Sequence, residues 1–100
     1  MRIIARSTLV EFAAAHPETE APLRHWVAVT RASNWANTGE VQASFSKAKV
    51  LNRERVRFQI AGGDYRLIVA FDFRRGIAFI KFLGTYAQYD QIDALTVMLF

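Results

Sequence analysis

The spacing of apolar residues changes period near the middle of the chain. In Arg55–Ile60, apolar residues alternate with basic or amide residues, and this period of two predicts a strand with an apolar core face and a basic outer face. The stretches Tyr65–Asp72 and 77–83 are apolar at nearly every position, which is typical of inner strands covered on both faces. Segments 61–64 and 74–76 contain glycine and predict tight hairpins. We therefore expect an antiparallel meander of three strands.

The first half of the chain has helical spacing instead. Residues 1–5 predict a short strand, and Ser7 is the candidate N-cap of a helix that Pro17 ends. A second helix is expected to begin at Thr19 or Glu20, because a proline in its first turn is tolerated. The inner stripes of the two helices are Leu9, Phe12, Ala13 and His16 in the first and Leu23, Trp26, Val27 and Thr30 in the second.

These elements indicate the fold class. Residues 32–39 predict a loop from which Trp35 inserts into the core, and 40–45 predict a further helical turn. Since two helices precede the meander and must cover one of its faces, we expect an α+β fold with two N-terminal helices packed on a small, mainly antiparallel sheet. The length of 100 residues predicts a single domain, 1–100.

Composition narrows the functional classes. The chain has no cysteine, which excludes disulfides, zinc fingers and thiol chemistry, and its two histidines, His16 and His25, lack a spaced carboxylate cluster for a metal. No phosphate loop or dinucleotide fingerprint is present. The apolar runs are too short for a bilayer, and the N-terminus lacks a signal peptide's apolar core. We expect a cytoplasmic protein without metal, cofactor or membrane partner.

Charge is distributed unevenly along the chain. Residues 1–46 contain four arginines and four glutamates, so the net charge of +4 comes from residues 47–100. Between Lys47 and Lys81 there are nine basic and three acidic residues, a net charge of +6. This asymmetry favours a one-sided surface for phosphate, although solvated cations on the outside of a strand explain the charge alone equally well.

Motifs spread over almost the whole chain carry a family resemblance. Each motif is weak alone, and the set comprises the Trp26 helix, Asn34-Trp35, Glu40-Val41, the run 58–63, Tyr65-Arg66-Leu67, Arg74-Arg75-Gly76, and 82–85 leading to Tyr89-Asp90. Their order and spacing resemble the HigB toxins, small RelE-like members of bacterial toxin-antitoxin systems. The resemblance implies a ribosome-dependent endoribonuclease that cuts mRNA and is silenced by a helix-turn-helix antitoxin of the HigA type. Contact with DNA would then be indirect, through the antitoxin.

Position 86 departs from the family pattern. Relatives usually have histidine where this chain has Tyr86. A phenol, with an ordinary pKa of about 10, exchanges protons at neutral pH less readily than an imidazole of about 6.5. Tyr86 can still hydrogen-bond a phosphate or stack on a base, so binding is expected even where cleavage is slower.

The chemistry of RNA cleavage suggests a role for Arg66. Attack by the ribose 2′-OH needs a group that takes its proton, a cation that stabilises the phosphorane, and a group that protonates the 5′ oxygen. Arg66 fits the second task, since it is a lone cation at the start of an inner strand after Gly62 and Gly63. The alternative is an ion pair with Asp64 or Asp90.

Two more residues complete the candidate catalytic set of Arg66 and Tyr86. Lys81 is embedded in an apolar strand and would assist phosphate neutralisation or proton transfer if the register brings it into the same groove as Arg66. Otherwise its ammonium extends into solvent. Tyr89 either stacks on a splayed base or packs beneath the terminal segment.

The remaining cations are interpreted as phosphate contacts that give affinity without sequence choice. For Arg74 and Arg75, a solvated hairpin tip is the alternative, and the apolar tail 96–100 either packs on the helices or meets a partner. The candidate RNA-binding residues are Lys47, Lys49, Arg55, Arg57, Arg74, Arg75 and Asp90.

The favoured hypothesis is an mRNA interferase toxin. A non-catalytic module of the same fold, which binds RNA or the antitoxin without cleaving, is the main alternative, and Tyr86 is the argument for it. A third hypothesis is a toxin fold retained only as a corepressor that acts on DNA together with its antitoxin.

Overall fold

The computed structural model describes residues 1–98, which form a five-stranded mixed sheet with its longer helices packed on one side. The strands are β1 (Arg2–Ile4), β2 (Lys49–Val50), β3 (Arg55–Ile60), β4 (Tyr65–Asp72) and β5 (Ile77–Thr85). Their order across the sheet is β1-β5-β4-β3-β2. The expected antiparallel meander is confirmed as β3, β4 and β5, and the short β1 pairs with β5 in parallel.

Four helices accompany the sheet, namely α1 (Arg6–Ala15), α2 (Glu20–Ala32), α3 (Thr38–Ser44) and the short α4 (Tyr86–Tyr89). The α+β class is therefore confirmed. Helix α1 ends before Pro17, which opens a 3-10 turn, Pro17–Thr19, that leads directly into α2. Asn37 caps α3, since its side-chain oxygen accepts a hydrogen bond from the Glu40 amide at 3.0 Å.

The strand register assigns each residue to one of two sheet faces. Phe58 pairs with Leu67, whereas Arg57 pairs with Ile68, so adjacent residues alternate between the faces. The core face packs against α1, α2 and α3, and the predicted α2 stripe is confirmed, because its four residues are all buried. The main core cluster includes Leu9, Trp26, Val41, Val56, Phe58, Leu67, Val69 and Ile80.

The opposite side of the sheet, which we call the basic face, carries Arg55, Arg57 and Arg66. Arg55 pairs with Ala70, and Ala70 pairs with Phe79 on β5. Lys81 belongs to the same side, because its ammonium lies 5.4 Å from the centroid of the Phe79 ring. Helices α1, α2 and α3 leave this face free, whereas α4 lies over its Arg66 end and the segment after α4 crosses it at β3.

Several local expectations are corrected. Ser7 is not the N-cap of α1, because the helix already begins at Arg6 and Ala5 occupies the cap position without a side-chain hydrogen bond. Helix α3 starts at Thr38, two residues before the predicted turn, and β5 continues through Thr85 instead of ending at residue 83. Trp35 is buried as predicted.

The tail contacts the sheet and not the helices. Within 96–98, the carbonyl oxygen of Val97 accepts a hydrogen bond from Arg55 Nη1 at 2.9 Å. The prediction that this part of the tail packs on the helices is therefore wrong. The remaining residues of the predicted apolar tail, 99 and 100, lie outside the described part of the chain. Within residues 1–98, no helix has the length and apolarity needed to cross a bilayer.

Candidate functional site

Arg66 lies at the α4 end of the basic face, where β4 begins. The residue is 8% exposed, and its Nη1 donates to the carbonyl oxygen of Gly63 and to that of Tyr65, the latter at 3.4 Å. Gly63 has a φ of 98°, a left-handed conformation that favours glycine. This turn therefore directs a backbone carbonyl at the guanidinium and orients it.

The guanidinium of Arg66 is not fully satisfied by these contacts. Its Nε is buried and has no hydrogen-bond partner within the described chain. Neither Asp64 nor Asp90 forms an ion pair with it in residues 1–98, so the structural alternative proposed from the sequence is wrong. A buried cation with an unused donor carries a desolvation cost that a bound anion would offset.

Tyr86 lies directly beside Arg66. The Arg66 guanidinium carbon is 4.9 Å from the centroid of the Tyr86 ring, within the range of a cation–π contact. The tyrosine remains 51% exposed, and its backbone amide donates to the Asp64 carbonyl at 3.0 Å. A ligand that reaches the guanidinium would therefore also meet the phenol.

A capping box fixes the helix that carries both candidate tyrosines. Thr85 Oγ1 accepts from the Gln88 amide at 3.1 Å, and Gln88 Oε1 accepts from the Thr85 amide at 2.8 Å. Gly84 makes this arrangement possible, because a Cβ there would lie 2.6 Å from Gln88 Oε1 and 2.8 Å from Phe82 Cζ. Position 84 thus supports the orientation of Tyr86 and Tyr89.

A second arginine–tyrosine pair lies next to the first. The Arg57 guanidinium is 5.8 Å from the Tyr89 ring centroid, and that ring is 6.3 Å from Phe82. Arg57 Nε is also buried without a hydrogen-bond partner in the described residues. Lys49 on β2 is the register partner of Arg57 and adds a third cation to the same side of the sheet.

Lys81 shares the basic face with Arg66 but is not opposite it. The partner of Arg66 across the strands is Gly84, so Lys81 lies three residues earlier on β5, about 10 Å along the strand. A β-bulge explains its direction, because Ile68 pairs with Phe82 whereas Val69 pairs with Ile80, which leaves Lys81 as the extra residue.

Arg55 is unsuited to phosphate contact, and its interpretation as an RNA-binding residue is corrected. It is 7% exposed, and its Nη1 donates to the carbonyls of Ala94 at 3.1 Å and Val97 at 2.9 Å. The guanidinium therefore holds the tail against β3. Its donors bind protein carbonyls that are about 40 residues away in sequence.

The other predicted phosphate contacts are dispersed. Lys47 lies on the helix side of the sheet beside His25 and Phe45, and Asp90 is exposed at the end of α4. Arg74 and Arg75 lie in the turn after β4, where Arg75 forms a 3.5 Å ion pair with Asp72. This turn is at the opposite end of β4 from Arg66. The structure brings together Arg57, Arg66, Tyr86, Tyr89 and Lys49. The other predicted residues, Lys47, Arg74, Arg75 and Asp90, are not part of this group.

Sequence reasoning missed a polar cluster on the helix side. Tyr65 donates to the Glu18 carboxylate and also lies 3.3 Å from His16 Nδ1. The Tyr65 hydrogen bond, more than any other contact, holds the pKa of Glu18 below its usual 4.5, and the same bond raises the pKa of Tyr65. No sequence motif links these residues, because the cluster joins the end of α1 to the start of β4.

Comparison with known families decides the identity of the fold. Residues 19–92 match HigB_toxin, described as the RelE-like toxic component of a toxin-antitoxin system. The chain belongs to the HigB toxin family. A search of curated proteins found no match.

Membership of the HigB family confirms the resemblance found in the sequence and the RelE-like fold. As a HigB toxin, the protein is the toxic component of a toxin-antitoxin system and has an antitoxin as its partner. The matched region includes β2 to α4 and every residue of the basic face described above, whereas β1 and α1 lie outside it.

Proposed function

We propose that this HigB toxin is a ribosome-dependent mRNA interferase that cleaves RNA through attack by the ribose 2′-OH. The observation that carries the proposal is Arg66, a cation that is 8% exposed, has an unused Nε donor and lies beside the exposed Tyr86. In the family to which the chain belongs, endoribonuclease activity is the general expectation.

The basic face supports binding of a single RNA strand. Arg57 and Lys49 lie opposite each other on β3 and β2 and would neutralise backbone phosphates without reading sequence. Tyr89 presents an aromatic ring held between Arg57 and Phe82, on which an unpaired base can stack. Binding would therefore place the backbone along the face and a base against α4.

The chemical step places the scissile phosphate at Arg66. The 2′ oxygen attacks phosphorus and passes its proton to water, while the bond to the 5′ oxygen breaks and that oxygen takes a proton from water, which leaves a 2′,3′-cyclic phosphate and a 5′-hydroxyl end. The Arg66 guanidinium would donate to a non-bridging oxygen as charge develops in the phosphorane. Tyr86 would donate a hydrogen bond to the phosphate or the departing oxygen, and Lys81 would contribute charge from farther along β5.

The proposed partners follow from this activity. Substrate mRNA is presented on the ribosome, which places the protein in the cytoplasm. The antitoxin is proposed to be a HigA-type helix-turn-helix protein, through which the toxin reaches DNA only indirectly.

Induced expression tests the proposal. Producing the chain without its antitoxin should arrest growth and fragment mRNA, whereas Arg66→Ala at equal level should do neither. Arg53→Gln is a matched control, because it removes an exposed arginine away from Arg66 and Tyr86. Growth arrest with intact mRNA would contradict the proposed cleavage.

A non-catalytic RNA-binding module is the second candidate, and two observations favour it. Position 86 carries a phenol in place of an imidazole, and Lys81 is displaced from Arg66 by the strand register. Purified protein that binds RNA in a salt-dependent manner but leaves ribosome-bound mRNA uncut would support this candidate.

The position of the antitoxin is testable by salt titration. Free toxin should bind RNA with an affinity that falls steeply with salt, because neutralised phosphates release counterions. A complex in which the antitoxin covers the basic face should lose most of that slope. An unchanged slope would mean that the antitoxin binds elsewhere and blocks ribosome entry by its size.

A further inference from the structure

A second basic surface lies at the opposite end of the sheet. A pocket of about 620 Å³ is lined by four arginines and four other residues, namely Arg2, Arg6, Arg31, Arg75, Asn34, Met1, Ile3 and Gly76. It forms where Arg2 of β1 pairs with Ile77 at the start of β5. Ile77 pairs with Asp72, and Arg66 lies six residues before Asp72 on β4. The pocket is therefore about 20 Å from Arg66. We call this surface the arginine pocket.

The arginine pocket is positively charged, although the part of the sequence that supplies most of its arginines has no net charge. Residues 1–46 carry no net charge, yet three of their four arginines line this pocket. Three of their four glutamates are engaged elsewhere: Glu20 pairs with Arg24, Glu18 accepts from Tyr65, and Glu40 accepts from the Ala36 amide. Among the described residues that line the pocket, none is acidic, although Arg75 pairs with the neighbouring Asp72.

We propose that the arginine pocket binds the backbone phosphates of a helical RNA. Arginine presents a planar fork of donors that matches phosphate oxygens. Arg2, Arg6 and Arg31 are exposed, and they form no ion pair within the described chain. No described residue that lines the pocket is aromatic, although aromatic anchors are typical of protein interfaces.

The location of the pocket gives it a role distinct from cleavage. Two cationic surfaces about 20 Å apart allow the protein to contact a folded RNA at one end while a single strand occupies the basic face. The choice of RNA over DNA rests on the proposed function, which brings the protein to the ribosome. The binding of phosphates by the pocket does not require the basic face to be catalytic.

A matched pair of double variants tests the proposal. Arg2→Gln with Arg6→Gln removes two pocket charges, and Arg24→Gln with Arg53→Gln removes two exposed arginines elsewhere. Binding to an RNA duplex of about 16 base pairs is measured between about 50 and 200 mM salt. Melting curves establish that both variants are folded, and Arg2→Lys with Arg6→Lys retains the charge.

The pocket variant should lose about two phosphate contacts. Each phosphate contact contributes about 0.9 to the slope of log affinity against log salt concentration. Between the lowest and the highest salt concentration, the duplex affinity of the pocket variant should therefore fall by a factor about tenfold smaller than that of the parent. The control and the lysine variant should keep most of the parent slope. Affinity for an unpaired RNA strand should change less than affinity for the duplex in the pocket variant.

Three results would overturn the proposal. An unchanged slope in the pocket variant, or an equal loss in the control, would show that these arginines are not a site. Tighter binding of duplex DNA than duplex RNA through the same arginines would assign the pocket to DNA. Loss of antitoxin binding with RNA binding retained would assign it to an acidic protein segment. Because the readout is duplex binding, a toxin that fails to cleave mRNA leaves this result interpretable.

Discussion

The two ends of the basic face place an arginine in different surroundings. At the tail end, Arg55 is 7% exposed and binds two carbonyls of the C-terminal segment. At the α4 end, Arg66 is 8% exposed, is oriented by its own turn, and has a buried Nε without a partner in the described chain beside an exposed tyrosine. Similar burial therefore accompanies different hydrogen bonding. The contacts of Arg55 hold the tail, whereas the proposed function assigns Arg66 to the scissile phosphate.

Arg66→Ala should produce the largest effect. Removing a cation that stabilises the phosphorane is expected to lower the cleavage rate about 100- to 1000-fold. The variant should stay folded at the assay temperature, although it loses the hydrogen bonds to the Gly63 and Tyr65 carbonyls. Single-turnover cleavage of ribosome-bound mRNA measures the rate, and a melting curve measures the fold. A folded variant that cleaves at the parent rate would remove Arg66 from the mechanism.

Arg55→Ala should give the reverse result. Loss of its hydrogen bonds to Ala94 and Val97 should lower the free energy of unfolding by about 2 kcal/mol, or roughly 10 °C in Tm for a domain of this size. The specific rate of the folded fraction should stay close to the parent value. If Arg55→Ala instead reduced RNA affinity at constant Tm, the distinction between the two ends would be wrong.

Tyr86→His sharpens the description of the α4 end. An imidazole next to Arg66 can exchange protons near neutral pH, so the cleavage rate should rise about tenfold. The rate should also acquire a pH dependence near the ordinary histidine pKa of about 6.5. Tyr86→Phe is the control, since it keeps the ring beside the guanidinium. A rate that is the same for tyrosine and histidine at every pH would show that position 86 transfers no proton.

The smallest effect concerns the helix side, which has no role in the proposed chemistry. Because the pKa of Glu18 is lowered, chiefly by the Tyr65 hydrogen bond, its contribution to stability is present above pH 4.5 and is lost as pH falls through the folded value. Glu18→Gln should therefore lower Tm slightly near neutral pH and have less effect near about pH 3. Glu11→Gln is the control, and cleavage should be unchanged in both variants.

The sequence predicted the sheet better than the site. Period-two spacing located β3, and the apolar run Tyr65–Asp72 matches β4 residue for residue, because burial on both faces leaves a continuous local signal. The parallel pairing of β1 with β5 had no such signal. It depends on packing between segments about 75 residues apart in the chain.

The errors at the candidate site have the same physical origin. Arg55 and Arg57 are equivalent in the alternating pattern, and only the distant carbonyls of Ala94 and Val97 distinguish them. The arginine pocket was hidden because the charges of residues 1–46 cancel in sequence and separate in space. Arg66, by contrast, could be chosen as a candidate from the sequence, because a lone cation in an apolar strand is itself a local signal.

Analysis of the RNA ends tests the central claim most directly. Attack by the 2′-OH at a phosphate held by Arg66 predicts fragments with 2′,3′-cyclic phosphate or 3′-phosphate ends and 5′-hydroxyl ends. These ends should appear when the toxin is induced and be absent with Arg66→Ala. Fragments with 5′-phosphate ends, or the same fragments from Arg66→Ala, would contradict the proposed role of the basic face.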